Sequence, residues 1–334
     1  MKQNCSEIKR ILIIQFRPFG DVLLATSYLG ALRESFPRAD IDFLVKEPYQ
    51  EVLDKNPYLS NAISFPQEKG ISYILGRAKL IFDIRKRKYD LIIDQQNGVG
   101  SGQVLLFSGA KYRLGWMDGK WKFIYNLKGI RGAARYRASQ NFDMLHPLGI
   151  EEQTYELFYH IRSESIAYIQ NWLNENHLTN NDIICIAPGS PRARKKWDIQ
   201  CYVRLTDLIL EYTQYSVIIL WAPNELEDAQ TIISQTKKKP FLAPPTNFNQ
   251  AAAFLKECKL LICNDGGLNH LSVAEKIPSL AIFGNTSPVH WSPAGVFPHH
   301  YHLYNPEWNR MSDNSFGITP EEVFRKVQNI LREV

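Results

Sequence analysis

The sequence of 334 residues has little of what marks a membrane-spanning, disulfide-bonded or zinc-binding protein. Its apolar runs fall well short of the roughly 20 residues that span a bilayer. Residues 1–10 are a polar mixture without the apolar stretch of a secretory signal. The five cysteines include no CxxC pair, which excludes the usual zinc and redox motifs. These absences predict a reduced cytoplasmic protein.

Motifs for dinucleotides and catalytic metals are missing as well. Residues 98–102 are glycine-rich, but Gln103 stands where a dinucleotide fingerprint needs its third glycine. His299, His300 and His302 have no spaced partner with which to hold a metal. The sequence therefore predicts neither a metal nor a resident cofactor.

Charge is distributed unevenly along the chain. Residues 1–160 contain 23 Lys and Arg against 17 Asp and Glu, whereas residues 161–334 contain 16 against 17. The densest stretch, residues 111–137, has eight basic residues and one acidic residue. A basic half favours an acidic partner such as a phosphorylated lipid, a nucleic acid or a phosphosugar. An ordinary solvated surface is the alternative.

Apolar runs of strand length alternate with segments of helical periodicity. Residues 10–16 are typical of a strand buried on both faces of a parallel sheet, and helical spacing follows over residues 22–36. The same alternation restarts in the second half of the chain. It predicts two doubly wound, Rossmann-like α/β domains, residues 1–160 and 161–318, that face a central cleft. Residues 319–334 begin with a strong helix-start signal, and we expect this last helix to pack back on the first domain.

The stretch from residue 259 to residue 283 combines a strand, a turn, a helix and a second strand. Asp265 lies at the expected N-cap of the helix and is followed by Gly266 and Gly267. The free N–H groups of such a helix start form an anion site just past a strand, and phosphate is the usual anion. A capped helix after a tight turn explains the same residues without a ligand.

Three other turns between a strand and a helix carry polar residues. Asp21 follows the first strand and can act as a general base or as a helix cap. Residues 192–196 hold four cations beside a helix start, which predicts a bound pyrophosphate or else a solvated basic loop. Glu225 lies where a Rossmann-like domain places an acid against ribose hydroxyls, although a first-turn glutamate also complements a helix dipole.

Taken in this order, the elements resemble glycosyltransferase family 9, the heptosyltransferase family of lipopolysaccharide inner-core assembly. The resemblance covers nearly the whole chain. Its matching elements are residues 11–14 with 20–23, 89–94, 188–190 with 195–197, and 264–270 with 283–288. It implies a GT-B fold and an inverting, metal-independent transfer from a nucleotide-activated sugar, usually ADP-heptose.

The resemblance also assigns roles to particular residues. Asp21 becomes the general base that deprotonates the acceptor hydroxyl, and Lys195 becomes the cation that stabilises the leaving diphosphate. The other donor-binding residues would be Ser190, Glu225, Thr246, Asp265, Gly266, Gly267 and His270. Basic residues of the first domain would receive an acidic glycolipid acceptor at the cytosolic face of the inner membrane, with no role for nucleic acid. These acceptor-binding residues would be Arg17, Lys120, Lys122 and Arg135.

The chain departs from the family pattern in a few places. Gly266 replaces the usual Ser or Thr, Asn285 replaces the usual Pro, and residues 244–248 differ from the expected base-reading segment. The donor base and sugar therefore stay open, as does whether His270 faces a ligand or packs in its helix. Two other classes also remain: a GT-B enzyme such as a nucleotide-sugar epimerase, and a non-catalytic module that binds a nucleotide sugar or a lipid.

Overall fold

The computed structural model describes residues 7–65, 70–119, 121–179, 182–308 and 314–333. The chain divides into two compact units, residues 1–160 and 161–334. Each unit holds a parallel six-stranded sheet with helices between the strands, as the alternating pattern predicts.

The elements of the first unit are β1 (Arg10–Ile14), α1 (Phe19–Leu24), α2 (Leu29–Ser35), β2 (Asp40–Lys46), β3 (Asn61–Phe65), α3 (Ile71–Lys86), β4 (Leu91–Asp94), α4 (Val99–Ser108), β5 (Tyr112–Trp116), β6 (Leu127–Gly129) and α5 (Arg137–Gln140). The strand order is β3-β2-β1-β4-β5-β6. Strands β1 and β4 are continuous apolar runs because both faces of the sheet are covered.

The helix predicted over residues 22–36 is in fact two helices, α1 and α2. Between them, the hydroxyl of Thr26 donates to the carbonyl of Leu23 at 2.6 Å, and that of Ser27 donates to the carbonyl of Ala138 at 2.8 Å. Such bonds from hydroxyl to backbone compete with the helical ladder. The continuous apolar spacing concealed this break.

The elements of the second unit are α6 (Ser163–Glu175), β7 (Ile183–Ala187), α7 (Ile199–Tyr212), β8 (Ser216–Ile219), α8 (Leu226–Gln235), β9 (Phe241–Leu242), α9 (Phe248–Lys256), β10 (Leu260–Asn264), α10 (Gly267–Ala274), β11 (Ser279–Phe283), β12 (His300–Tyr304) and α11 (Pro320–Glu333). This unit repeats the arrangement of the first, with the strand order β12-β11-β10-β7-β8-β9. Asp198 caps α7 and Asn247 caps α9 with their side chains.

The last helix, α11, packs within the second unit, so the expectation that it packs on the first domain is wrong. Val323, Val327 and Ile330 are fully buried in the core that also contains α7 and the second sheet. The rings of Phe324 and Tyr212 lie 6.0 Å apart between α11 and α7. The helix-start signal correctly predicted that a helix forms, but it carries no information about which surface the apolar face covers.

Each sheet has one point at which its strand order reverses direction. This switch point lies between β1 and β4 in the first unit and between β7 and β10 in the second. Loops at the carboxyl ends of these strands diverge to opposite sides of the sheet, which opens a crevice for a ligand. The loops after β1, β4, β7 and β10 are therefore where the architecture favours binding.

Candidate functional site

A polar pocket lies at the switch point of the first sheet. Its lining residues are Gln15, Arg17, Asp21, Gln95, Gln96, Asn97, Trp116, Arg131, Arg137 and Asn141. Asp21 stands in the first turn of α1, with 23% of its side chain exposed. Its Oδ1 lies 3.6 Å from Nη1 of Arg17. A half-buried carboxylate is thus held at the edge of the sheet where a substrate hydroxyl could reach it.

Two further arginines surround this carboxylate. The guanidinium of Arg131 stacks 3.8 Å from the Trp116 ring centroid, and its Nε donates to Asp118 at 3.0 Å. Burial and the positive charge of Arg131 lower the pKa of Arg137. The pocket therefore concentrates positive charge, and an anionic group bound there would relieve the repulsion between the arginines.

Buried amides complete the lining. Nε2 of Gln95 donates to Oδ1 of Asn141 at 2.6 Å, and Nδ2 of Asn141 donates to the carbonyl of Leu24 at 2.9 Å. These bonds fix the Gln95 amide so that its Oε1, buried and without a partner within the described ranges, is left to accept a hydrogen bond.

Asp94, at the end of β4, is a second carboxylate near the pocket. Burial raises its pKa to about 6. Its two oxygens accept hydrogen bonds from the Tyr125 hydroxyl at 2.7 Å and from the Asn97 backbone N–H at 2.9 Å. Because Asp94 is fully buried and occupied by these bonds, we interpret it as a support for the loop after β4 rather than as a base.

In the second unit, Lys195 and Asp265 meet at the switch point. Lys195 lies on the loop after β7 and Asp265 directly after β10, and Nζ of the lysine forms an ion pair with Oδ2 of the aspartate. The Lys195 ammonium also lies 6.0 Å from the Trp291 ring centroid. A neighbouring cation of the basic loop, Lys196, pairs with Asp228. Carboxylates of the unit therefore already neutralise two of the four predicted cations.

Asn264, to which no prediction assigned a role, positions these loops. Its Oδ1 accepts from the backbone N–H of Trp197 at 3.0 Å, while its Nδ2 donates to the carbonyl of Pro188 at 2.7 Å. One side chain at the end of β10 thus ties both ends of the loop that carries Lys195. The pattern of an asparagine before an Asp-Gly turn does not reveal such long-range bonds.

Helix α10 begins without a side-chain cap. The structure places Gly266, not Asp265, at the N-cap, so the predicted capping role of the aspartate is wrong. The Asp265 carboxylate is drawn to Lys195 instead. Gly267 is the first helical residue. The first N–H groups of α10 therefore present their partial positive charge at the same edge as Lys195.

Glu225 lies at the start of α8, on the same edge of the sheet. Its Oε2 accepts from the backbone N–H of Ala222 at 3.1 Å, and burial raises the pKa of the carboxyl. A Cβ atom added to Gly189 would lie 1.8 Å from that oxygen. The absence of a side chain at Gly189 therefore leaves the space that the Glu225 carboxylate occupies between the loops after β7 and β8. Glu225 thus lies in the same loop cluster as Lys195.

The remaining predicted donor-binding residues occupy this loop cluster or its margin. His270 is buried in α10, and burial followed by the charge of Lys195 lowers its pKa to about 3, so it is neutral at physiological pH. Oγ of Ser190 accepts from the backbone N–H of Arg192 at 3.4 Å in the loop after β7. Thr246 is half-buried on the loop between β9 and α9.

The predicted acceptor-binding residues are less clustered. Arg17 lines the first pocket, whereas Lys122 is exposed outside the lining set. Arg135 donates to Asp143 at 2.7 Å and to Glu152 at 2.9 Å, which is a structural network within the unit. Lys120 lies outside the described residues. Within the basic stretch of residues 111–137, Arg131 and Arg137 line the pocket. No local pattern in the sequence distinguishes them from the other basic residues of that stretch.

Two Rossmann-like units of this strand order, with polar residues at both switch points, are the arrangement of the GT-B fold. The model of glycosyltransferase family 9 (heptosyltransferase) matches residues 77–310, and the chain belongs to this family. The protein is therefore a glycosyltransferase of the heptosyltransferase type, as the resemblance of its motifs predicts.

Relatives and solved structures agree with this assignment over most of the chain. Lipopolysaccharide heptosyltransferase 2 of Escherichia coli strain K12 is 24% identical over 84% of this chain and 84% of its own. The crystal structure of the family 9 glycosyltransferase from Veillonella parvula superposes with a TM-score of 0.86, at 22% identity and 98% coverage of both chains. The E. coli ADP-heptose lipopolysaccharide heptosyltransferase II superposes at 0.79, with 21% identity over 97% of this chain and 99% of that one.

The described residues contain neither a metal-binding cluster nor a membrane-spanning helix. Among these residues, no group of three or more His, Cys, Asp and Glu is arranged to hold a metal ion. No helix within the same ranges combines the length and the apolarity that crossing a membrane requires.

Proposed function

We propose that the protein is an inverting glycosyltransferase that moves heptose from ADP-heptose onto a lipopolysaccharide-core or related glycolipid acceptor in the cytoplasm. The observation that carries the proposal is the position of Asp21, a half-buried carboxylate within a basic pocket at a switch point. The names of the relatives support the choice of substrates, since they include lipopolysaccharide heptosyltransferases and an ADP-heptose-dependent enzyme.

The second unit would hold the donor. Lys195 would exchange its partner Asp265 for a diphosphate oxygen, and the uncapped N–H groups of α10 would bind another. Asp265, released from the lysine, would accept hydrogen bonds from sugar hydroxyls, and Glu225 would do the same for the ribose. His270 would act as a neutral hydrogen-bonding group, because its lowered pKa excludes a cationic role at physiological pH.

The first unit would hold the acceptor. Arg17, Arg131 and Arg137 would bind an anionic group of the acceptor, such as a phosphate or a carboxylate. The side chains of Gln95 and Gln96, which also line the pocket, would face the acceptor sugar. Together these groups would orient the attacking hydroxyl toward Asp21, and positioning of this kind accounts for a large share of transfer catalysis.

The chemistry follows from these two sets of residues. Asp21 removes the proton of the acceptor hydroxyl as its oxygen attacks the anomeric carbon. The bond between that carbon and the diphosphate oxygen breaks on the opposite face, which inverts the configuration. The nucleoside diphosphate leaves with its charge stabilised by Lys195 and by the start of α10. In this scheme the protein supplies the positive charge, so no metal is required.

A transfer assay with labelled ADP-heptose and a deacylated core acceptor tests the proposal. We expect Asp21→Asn to lower kcat by about 10²- to 10⁴-fold, because a positioned general base contributes that much. Binding of ADP should be unchanged, since Asp21 lies in the other unit. Chelation by EDTA should leave the wild-type rate intact.

Asp40→Asn is a matched control, because Asp40 is an exposed carboxylate at the opposite, amino-terminal edge of the same sheet. It should transfer at the wild-type rate. Undiminished transfer by Asp21→Asn would exclude the base assignment. Absence of transfer from any nucleotide sugar would favour a binding module instead.

A further inference from the structure

The outer face of α3 is apolar, although nothing within the described residues covers it. Leu80 and Ile84 are buried against the sheet, as expected for a helix of a doubly wound unit. Ile71, Leu75 and Phe82 recur at helical spacing on the opposite side and are 66–76% exposed. Such a second apolar stripe costs free energy in water, so it indicates a contact outside the unit.

Helix α4 extends this surface. Val99, Leu106 and Phe107 lie on its outer side and are 52–61% exposed. The two helices run side by side in the same direction, because the Arg77 guanidinium donates to the carbonyl of Gly100 near their starts and Arg85 donates to the carbonyl of Phe107 at 3.0 Å near their ends. We call the combined surface the α3–α4 face. It consists of Ile71, Ile74, Leu75, Phe82, Val99, Leu106 and Phe107.

Positive charge flanks the α3–α4 face. Helix α3 carries Lys79, Arg85 and Lys86, all exposed, against a single carboxylate, Asp83, and α4 carries no charged residue. Exposed Lys88 follows just after α3. An apolar stripe with basic neighbours is the pattern of a helix that lies in the interface of an anionic membrane.

The face also lies beside the pocket that contains Asp21. Helices that follow parallel strands start at the carboxyl edge of the sheet, so Ile71 and Val99 are at the same edge as the pocket. A Cβ atom at Gly100 would lie 3.8 Å from the ring of Phe16, which belongs to the loop after β1. A membrane in contact with the starts of both helices would therefore lie next to the pocket mouth.

We propose that the α3–α4 face docks the protein onto an anionic lipid bilayer, which presents the pocket to the headgroup of a membrane-embedded acceptor. The second half of this inference rests on the proposed glycolipid acceptor, whereas the docking does not. Pairing between two copies of the chain is disfavoured, because a twofold contact would bring the same cations together. An anionic bilayer instead satisfies both the apolar stripes and their basic flanks.

Vesicle flotation of the full-length chain, without donor or acceptor, tests the docking. We expect the wild type to float with vesicles of phosphatidylcholine and phosphatidylglycerol but weakly with phosphatidylcholine alone. Leu75→Ser combined with Phe107→Ser should lower the partition at least about tenfold, since each change removes a large apolar group from the interface. Lys79→Glu combined with Lys86→Glu should weaken binding to the anionic vesicles, as should added salt.

A matched control removes two exposed apolar side chains of the second unit, Ile166→Ser and Val296→Ser. It should float like the wild type. The inference is overturned if the wild type does not bind the anionic vesicles or if the Leu75 and Phe107 variant binds equally well. It is also overturned if light scattering shows a wild-type dimer that this variant converts to a monomer. Transfer to a deacylated acceptor, measured on the same preparations, tests the proposed function separately.

Discussion

Lys195 illustrates how a residue named by a motif can already have a partner within the protein. Its ammonium is paired with the buried carboxylate of Asp265, and Asn264 fixes the loop that carries it. A buried ion pair is expensive to break by removing one partner. In the proposed function, a diphosphate would take the place of Asp265 without leaving the lysine uncompensated. The pair would therefore hold the cation in position until the proposed donor binds.

Gly266 is the residue at which the chain departs most informatively from its family. Its φ of −173° is ordinary extended backbone, and the nearest atom to an added Cβ is the Asn264 carbonyl oxygen at 3.8 Å. Gly266→Ser should therefore fit without strain and place a hydroxyl at the start of α10. If a diphosphate binds there, we expect ADP affinity to rise at least about tenfold, because one hydrogen bond to a charged group contributes about 1.5–3 kcal/mol. Isothermal titration measures the change.

Gly189→Ala provides the contrasting case. The new methyl group would meet the Glu225 carboxylate and force it out of position. This variant should bind ADP more weakly than the wild type, while Gly266→Ser binds it at least as tightly. If Gly266→Ser abolishes binding and Gly189→Ala does not, the assignment of these two loops is wrong.

At the scale of elements, Glu275 makes the packing of α9 on α10 sensitive to pH. Burial raises its pKa from the ordinary 4.5 to about 7, only partly offset by Lys256, whose Nζ lies 3.7 Å away. Because the folded state holds the proton more tightly than the unfolded chain, this group destabilises the fold increasingly as the pH rises from about 4.5 through 7. Glu275→Gln should therefore raise the free energy of unfolding at about pH 8 by on the order of 2 kcal/mol.

The same substitution should change stability little near pH 5, where the wild-type carboxyl is already protonated. Urea unfolding across this pH range measures both values. Glu257→Gln, at an exposed site beside the end of α9, controls for the loss of charge alone. A Glu275→Gln variant that is less stable than the wild type at pH 8 would contradict the account.

Helix α11 offers a second prediction at this scale. Ile330 is fully buried against the core of the second unit, so Ile330→Ala should cost about 2–5 kcal/mol. Hydrogen exchange should rise in α7, while β1 and β4 of the first unit keep their protection. Arg332→Ala, at an exposed site of the same helix, should change neither. Faster exchange confined to the first unit would contradict the observed packing.

The sequence predicts the elements better than it predicts their partners. The strands can be predicted because runs such as residues 183–187 are apolar without interruption. The turns after them can be predicted because glycine and charged residues interrupt the apolar pattern there. The break between α1 and α2 depends on a bond from Ser27 to Ala138, more than a hundred residues away. Likewise, the contacts of Arg135 and Asn264 depend on the fold and leave no local signal.

At the scale of the whole molecule, the two units have the same strand order but different charge. The first unit contains six more basic than acidic residues, whereas the second unit contains one basic residue fewer than acidic residues. The excess of basic residues lies in the unit that contains the Asp21 pocket and the α3–α4 face. This distribution suits an acidic substrate at an anionic surface. In the second unit, basic residues such as Lys195 and Lys196 already form ion pairs with carboxylates of the same unit. We therefore expect the diphosphate of a nucleotide to bind there by replacing a carboxylate as the partner of a lysine, and not through a net positive charge of the unit.

The most direct test of the central claim is a thermal-shift titration of the full chain with ADP, ADP-heptose and UDP. A ligand at 100 times its Kd stabilises the folded state by about 2.7 kcal/mol. The account predicts a shift with ADP and ADP-heptose that Lys195→Met removes. It would be contradicted if neither ligand shifted the transition at millimolar concentration, or if Lys195→Met responded to ADP as the wild type does.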